Sequence, residues 1–337
     1  MRGRLLISLF LGALSLILWE SSSRGILVPP ASVQTSHNTV DTVIVEPAAG
    51  MTPLLTAIQA ASSSIDVVMY EFEDPAIAQA LAKARSRGIN VRVLLNGGYY
   101  GKKENTNNDK AYQYLIAHDI LVHWSPAGFA LTHQKTIVVD DTRAYILTFN
   151  FTPQYYASSR DFGIVDSDMP DVSEVVNAFN ADWNNEDYTP LSNTRLVWSP
   201  GSEKTLIDLI AGTTKTLDIY NQEMADKKIL TALKDAETRG VQIRIVMTDN
   251  KKWYDAWTEL SKVGTQVHTY DAKAPTYIHA KVILADNTKM FVGSENFSLT
   301  SLQRNRELGI ITSDTNAISQ VEQTFETDWG VTSLFTN

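Results

Sequence analysis

At 337 residues the chain has room for two domains, or for two similar halves sharing an interface, each large enough to bury a core. An apolar fraction of 44% with 20% charged residues is ordinary for a globular body, and a formal charge of −9 gives no long-range attraction for polyanions. Cysteine is absent, which excludes disulfides, thiolate metal sites, cysteine nucleophiles and lipoprotein acylation.

Arg2 and Arg4 precede an uncharged apolar run from Leu5 to Trp19, followed by Glu20 and three serines. A positive flank before an apolar run shorter than the ~20 residues of a membrane span predicts a signal peptide or N-terminal membrane anchor over residues 1–23. Residues 24–40 contain two prolines and two serines and predict a linker. The folded body is therefore expected to be exported: extracellular, periplasmic, or anchored to the outer side of the cytoplasmic membrane.

The remainder is written twice. The stretch from Ile65, IDVVMYEFEDPAIAQALAKARSRGINVRVLL, aligns without a gap with LDIYNQEMADKKILTALKDAETRGVQIRIVM from Leu217. Each predicts a strand, a turn, an amphipathic helix and a second strand. Asp74 suits the helix N-cap, Pro75 the first helical position, Ile77, Leu81 and Ala84 one face, and Gly88 the end; Asp226, Ile229, Leu233, Ala236 and Gly240 repeat the pattern. Upstream of each lies a strand ending in a proline turn, VIVEP (43–47) and LVWSP (196–200), then an apolar-periodic helix. Strand, helix, strand, helix, strand predicts an α/β fold with largely parallel sheets covered by helices. Phe179-x-x-Asp182-Trp183 recurs as Phe325-x-x-Asp328-Trp329, aromatics expected in the core. The predicted domains are a first lobe over 41–183, a polar linker over 184–193 and a second lobe over 194–337.

A third shared block carries the chemistry. His133-Gln-Lys135 is followed four residues later by Asp140, then by Leu147-Thr148-Phe-Asn150; His279-Ala-Lys281 is followed by Asp286, then by Gly293-Ser294-Glu-Asn296. A chance His-x-Lys-x4-Asp arises at roughly one position in ten thousand, so two copies in register are not accidental. Side chains alternate along a strand, so each His and Lys share a face. Each half thus presents an imidazole, an ammonium, a hydroxyl and an amide, a set suited to phosphoryl transfer. Neutral imidazole attacks phosphorus, a second imidazolium protonates the departing alkoxide, and lysines with Ser, Thr and Asn donors hold the non-bridging oxygens.

These blocks resemble the HxKxxxxD…GSxN signature of the phospholipase D superfamily, and the repeat covers nearly everything after residue 41. The resemblance implies a duplicated α/β/α sandwich about a pseudo-two-fold axis, with mostly parallel mixed sheets. It further implies a covalent phosphohistidine intermediate and hydrolysis or transesterification without metal or cofactor. An acidic residue downstream of each motif, here Asp161 in SRDFGI and Glu307 in NRELGI, is implied to orient an imidazole. The family pattern favours His133 as nucleophile and His279 as general acid. Leu147-Thr148 departs from the Gly-Ser of the pattern, which bears on the phosphate contacts of the first half. Asp140 and Asp286, although part of the signature, are expected to pair with turn backbone.

His37, His118, His123 and His268 have no evident counterpart in the other half and are expected to be structural. Glu71 and Glu223 occupy equivalent places and suit either the cleft or a sheet edge. The polar loop 97–110 with Lys102 and Lys103, and Lys251-Lys252-Trp253-Tyr254 in the second half, suit a cleft rim or solvated loops. The motifs do not choose the substrate. An exported acidic chain favours hydrolysis of phospholipid diesters, with association at a membrane surface and a monomer holding both half-sites. A nuclease acting on DNA or RNA is the alternative; phosphatidyl transfer or a non-catalytic binding module ranks lower.

Overall fold

The computed structural model describes residues 41–102 and 107–336. The expected leader (1–23) and linker (24–40), His37 and Lys103 lie outside the described residues. Among the described residues no helix is long and apolar enough to cross a membrane.

The first lobe runs β1 (Thr42–Glu46), α1 (Thr52–Ala60), β2 (Ser64–Met69), α2 (Pro75–Ser86), β3 (Asn90–Leu95), α3 (Asp109–Ile116), β4 (Leu121–Trp124), β5 (Lys135–Val139), β6 (Arg143–Leu147), β7 (Ser159–Asp166) and α4 (Met169–Asn184). The second lobe repeats this as β8 (Leu196–Ser199), α5 (Ser202–Gly212), β9 (Thr216–Tyr220), α6 (Lys227–Thr238), β10 (Gln242–Thr248), α7 (Tyr254–Ser261) and β11 (Gln266–Tyr270). It continues with β12 (Tyr277–Ile278), β13 (Val282–Ala285), β14 (Lys289–Gly293), α8 (Leu299–Gln303), β15 (Glu307–Thr312), α9 (Thr315–Val331) and β16 (Ser333–Leu334). The α2 and α6 N-caps form as read: the Asp74 and Asp226 carboxylates each accept two backbone N–H groups of the first turn.

The first sheet is ordered β1-β7-β6-β5-β2-β3-β4, and the second β16-β11-β10-β9-β13-β14-β15-β8. Both are mixed, but they are not mostly parallel. Within each lobe parallel strand pairing is confined to β2-β3-β4 and β9-β10-β11, where helices cross over; across the lobes β12 pairs with β7 in parallel. The motif strands pair antiparallel because tight hairpins join them, β5 to β6 and β13 to β14. Asp140-Asp141 and Asp286-Asn287 form those turns, with φ of 54° and 52°, and of 54° and 51°. Asx residues tolerate this left-handed backbone, which hairpin turns need.

One apolar cluster of each lobe lies under its outer helices, around Leu54, Ile77 and Leu81 in the first and Leu206, Ile229 and Leu233 in the second. A third is shared: Ile146, Phe162 and Val175 of the first lobe pack with Ala280, Val292 and Phe325 of the second. Phe179 and Phe325 are buried, as the repeated signature predicts. Arg92 lies over Phe179 and Trp183, and Arg244 over Phe325 and Trp329. His123 stacks on Trp183 at 3.8 Å and His268 on Trp329 at 3.6 Å. These two histidines are therefore counterparts, contrary to the expectation from spacing. The stretch between β3 and β4 is longer than that between β10 and β11, which hides the match.

Candidate active site

The lobes meet by exchanging backbone hydrogen bonds at the two motifs. β12 adds in parallel to the start of β7, and the Arg160 carbonyl accepts the N–H groups of His279 (3.2 Å) and Ala280 (3.0 Å). In the mirror arrangement the Arg306 carbonyl accepts those of His133 and Gln134, both at 2.9 Å. Each motif histidine is thus held from behind by the opposite lobe.

The side chains exchange likewise. His133 Nδ1 lies 2.7 Å from Glu307 Oε2, and His279 Nδ1 lies 2.9 Å from Asp161 Oδ1. The carboxylate that follows one motif orients the imidazole of the other. A ring donating Nδ1–H to a carboxylate leaves the Nε2 lone pair free. Glu307 Oε1 is occupied by the Ser301 hydroxyl (2.6 Å) and the Asn305 amide (3.0 Å), and Asp161 Oδ1 by the Thr148 hydroxyl (2.5 Å).

Lys135 and Lys281 are buried beside the rings, each ammonium donating to the carbonyl of its own motif histidine. Lys281 also reaches Gln222 Oε1 at 3.3 Å, whereas its counterpart Lys135 lies over the Tyr70 ring at 5.0 Å. Burial pushes Lys135 down to about 7 and Lys281 down to about 8, partly offset by the surrounding carboxylates. Burial also pushes His133 down to about 4, with the attraction of Glu307 opposing, and lowers His279 in the same way against Asp161. Glu307 stays below its ordinary value: its burial is outweighed by His133, Lys135 and the Ser301 hydrogen bond. Both rings are therefore neutral at pH 7 and Glu307 is ionised.

His133, Asn150, Asp161, His279 and Asn296 line one cavity of about 860 Å³. Asn150 and Asn296 line the cavity, where their Nδ2 groups can donate to a ligand, while their Oδ1 atoms are buried without a hydrogen-bond partner among the described residues. Glu71 and Glu223 line the cavity too, which decides between the cleft and a sheet edge in favour of the cleft. Lys252 reaches it, over the Trp253 ring at 4.4 Å; neither Lys102 nor Lys251 lines it.

Four of the twelve candidates take other places. Asp140 and Asp286 sit at the far end of the motif strands. Asp140 accepts the N–H groups of Ser62, Ser63 and Ser64, and Asp286 those of Thr214, Lys215 and Thr216. They fasten the hairpin to the loop before β2 or β9 and touch no cavity group. Ser294 exchanges hydrogen bonds with the Leu308 backbone, and Thr148 bridges Asp161 and the Phe162 N–H, so neither hydroxyl is free to hold phosphate. Leu147 fills space over Gly163 within the first core, whereas Gly293 faces Gly309 and leaves room for the buried Glu295 side chain. The departure from Gly-Ser is a matter of core packing. Ser301, Asn305, Tyr70 and Gln222 escaped notice because their partners in the repeat are unlike: Tyr155, Ser159, and each other.

The family described as "Cardiolipin synthase, PLD-like domain" matches residues 54–183 and 206–329, one block in each lobe. The probable cardiolipin synthase YwiE of Bacillus subtilis (strain 168) is 23% identical over 321 residues, covering 82% of this chain and 63% of that protein. The major cardiolipin synthase ClsA of the same organism is 25% identical, covering 90% of this chain and 72% of that protein. This chain thus spans under two thirds of the first relative. The crystal structure of phosphatidylserine synthase from Haemophilus influenzae Rd KW20 superposes with a TM-score of 0.68 at 13% identity, over 88% of this chain and 87% of that one. That likeness concerns the fold.

Proposed function

Because the chain belongs to the PLD-like domain family of cardiolipin synthases, within the phospholipase D superfamily, we propose that it transfers a phosphatidyl group to an alcohol through a phosphohistidine. The observation that carries this reading is the facing pair of carboxylate-oriented imidazoles, His133–Glu307 and His279–Asp161, in one cavity beside two buried lysines.

His133 Nε2 attacks phosphorus, and the bond from phosphorus to the headgroup oxygen breaks. The departing oxygen takes a proton from the His279 imidazolium, and the diester becomes a phosphohistidine. The anionic phosphate that enters the cavity offsets the burial that lowers His279 and so favours its protonated form. An acceptor hydroxyl then gives its proton to His279 and attacks phosphorus, releasing His133. Lys135, Lys281 and the amides of Asn150 and Asn296 stabilise charge on the equatorial oxygens. Water in place of the alcohol gives hydrolysis by the same steps.

Hydrolysis ranks first from the sequence; the cardiolipin synthases among the relatives support transfer instead. The cavity favours a lipid over a nucleic acid. Glu46, Glu71, Asp161 and Glu223 line it with Lys252, and such a wall repels the extended phosphate backbone of a polyanion. An exported or anchored body acting at a membrane surface completes the proposal and rests on the Arg2/Arg4-flanked apolar run, and a monomeric state rests on both half-sites lying in one chain.

Residues 41–337 incubated with phosphatidylglycerol vesicles, with and without EDTA, should yield cardiolipin and glycerol equally in both. Phosphatidic acid as the sole product would replace transfer by hydrolysis. Turnover of plasmid DNA without lipid turnover, or loss of activity in EDTA, would overturn the reading.

A further inference from the structure

Each orienting carboxylate follows an arginine, Arg160-Asp161 and Arg306-Glu307, and each arginine is gripped by the aspartate of the other lobe's repeated Phe-x-x-Asp-Trp signature. Arg306 Nε and Nη2 donate to Asp182 at 2.8 and 3.1 Å; Arg160 Nε and Nη2 donate to Asp328 at 2.7 and 3.0 Å. Asp182, Asp328 and Arg306 are at most 6% exposed. The same arginine residues present the carbonyls that hold the motif histidines.

Three contacts therefore converge on one residue step. Asp182 fixes the Arg306 side chain, the His133 N–H fixes the Arg306 carbonyl, and the next residue, Glu307, meets the His133 ring. Asp328, Arg160, Asp161 and His279 repeat this in the other direction. A bidentate guanidinium–carboxylate pair constrains orientation as well as distance. We infer that Asp182 and Asp328 are positioning residues, each setting, through the opposite lobe's arginine, the imidazole–carboxylate geometry of one half-site.

The two clamps are built unequally. Asp328 also accepts the hydroxyls of Tyr220 (2.6 Å) and Tyr270 (2.8 Å), so all its acceptor positions are used. The corresponding positions near Asp182 are Val68 and Ser125, and Arg306 is instead enclosed by Trp198, Phe129 and Tyr188, its guanidinium 4.7 to 5.7 Å from their rings. Among the described residues Asp182 is the one hydrogen-bond acceptor of the Arg306 guanidinium, whereas Arg160 also donates to the Glu46 carbonyl, so the Asp182 clamp is the more sensitive of the two.

The test compares D182N and D328N in the full chain, with D182E as the conservative variant and with R306K, which keeps the charge but loses the bidentate fork and should disturb the His133 signal as D182N does. The Nδ1-bound proton of each motif histidine is followed by NMR and assigned with H133Q and H279Q. Selective loss or shift of the His133 signal in D182N, and of the His279 signal in D328N, is expected, with recovery in D182E. Under the proposed transfer reaction, kcat should fall about 10- to 100-fold at nearly constant KM. Signals unchanged in folded variants, or both signals altered alike by either substitution, would overturn the inference; R306K decides if D182N does not fold. The NMR arm stands apart from the proposed reaction: selective signals in an enzyme without transferase activity would sink that reaction and keep the clamp.

Discussion

Glu307 accepts the Nδ1 proton of His133 at 2.7 Å although 174 residues and the boundary between lobes separate them. Replacing Glu307 with Gln removes the charge that opposes the lowering of His133 by burial. The His133 value should therefore fall below its present value of about 4, while His279 keeps its own. An NMR titration of the ring protons checks this, and a shift confined to His279 would contradict the pairing. Turnover should fall by about 10²- to 10⁴-fold.

His133→Ala and His279→Ala should each reduce phosphatidyl transfer by about 10³-fold or more, yet differ with an activated donor. A p-nitrophenyl phosphodiester needs no protonation of its leaving group. His279→Ala should therefore still accumulate a phosphoenzyme labelled at His133, and His133→Ala should form none. A label on His279 would reverse the two roles.

The dependence of kcat/KM on pH should be bell-shaped. Below about 4 His133 gains a proton and loses its nucleophilic lone pair; on the alkaline side His279, lowered by burial below its ordinary 6.5, loses the proton that the leaving oxygen needs, and above about 7 Lys135 loses the proton that makes it a cation for phosphate. In kcat the alkaline limb should move upward, because bound phosphate stabilises the ammonium. A profile flat to pH 9 in both parameters would refute these assignments.

Asp140→Ala and Asp286→Ala should lower stability rather than chemistry. Each leaves three backbone N–H groups without their carboxylate, a loss of about 2–3 kcal/mol per site. Thermal melts should shift down while turnover well below the transition stays near wild type. Burial raises the Asp140 carboxyl, but the N–H groups of Ser63, Ser62 and Ser64 together with the Ser62 hydroxyl outweigh it and hold the carboxyl below its ordinary 3.8. Its stabilisation is complete above that value and is lost as the pH falls through and below it.

The duplication made much of the fold readable, because caps, glycines and motif spacings recur at the same intervals in both halves. It located the two histidines and two amides of the cavity and the two lysines buried beside the rings. It could not pair His133 with Glu307, since spacing along one lobe carries no information about contacts across a two-fold. It also misled at Thr148 and Ser294. The signature shows a hydroxyl, but burial beside Asp161 or against the Leu308 backbone decides what that hydroxyl binds. Parallel strands were overestimated because the hairpin turns at Asp140-Asp141 and Asp286-Asn287 look like ordinary polar positions until their left-handed backbone is seen.

The exchange of carboxylates also bears on ancestry. A solitary lobe carries a histidine lacking its acceptor and an acceptor lacking its histidine, so it is chemically incomplete. Two identical solitary lobes related by a two-fold would complete each other, each lending its carboxylate and its arginine carbonyl to its twin. Joining such twins on one polypeptide costs no contact, and it frees the two copies to diverge. Tyr70 opposite Gln222, Leu147 opposite Gly293 and Asp161 opposite Glu307 are differences that a symmetric pair of identical chains could not hold.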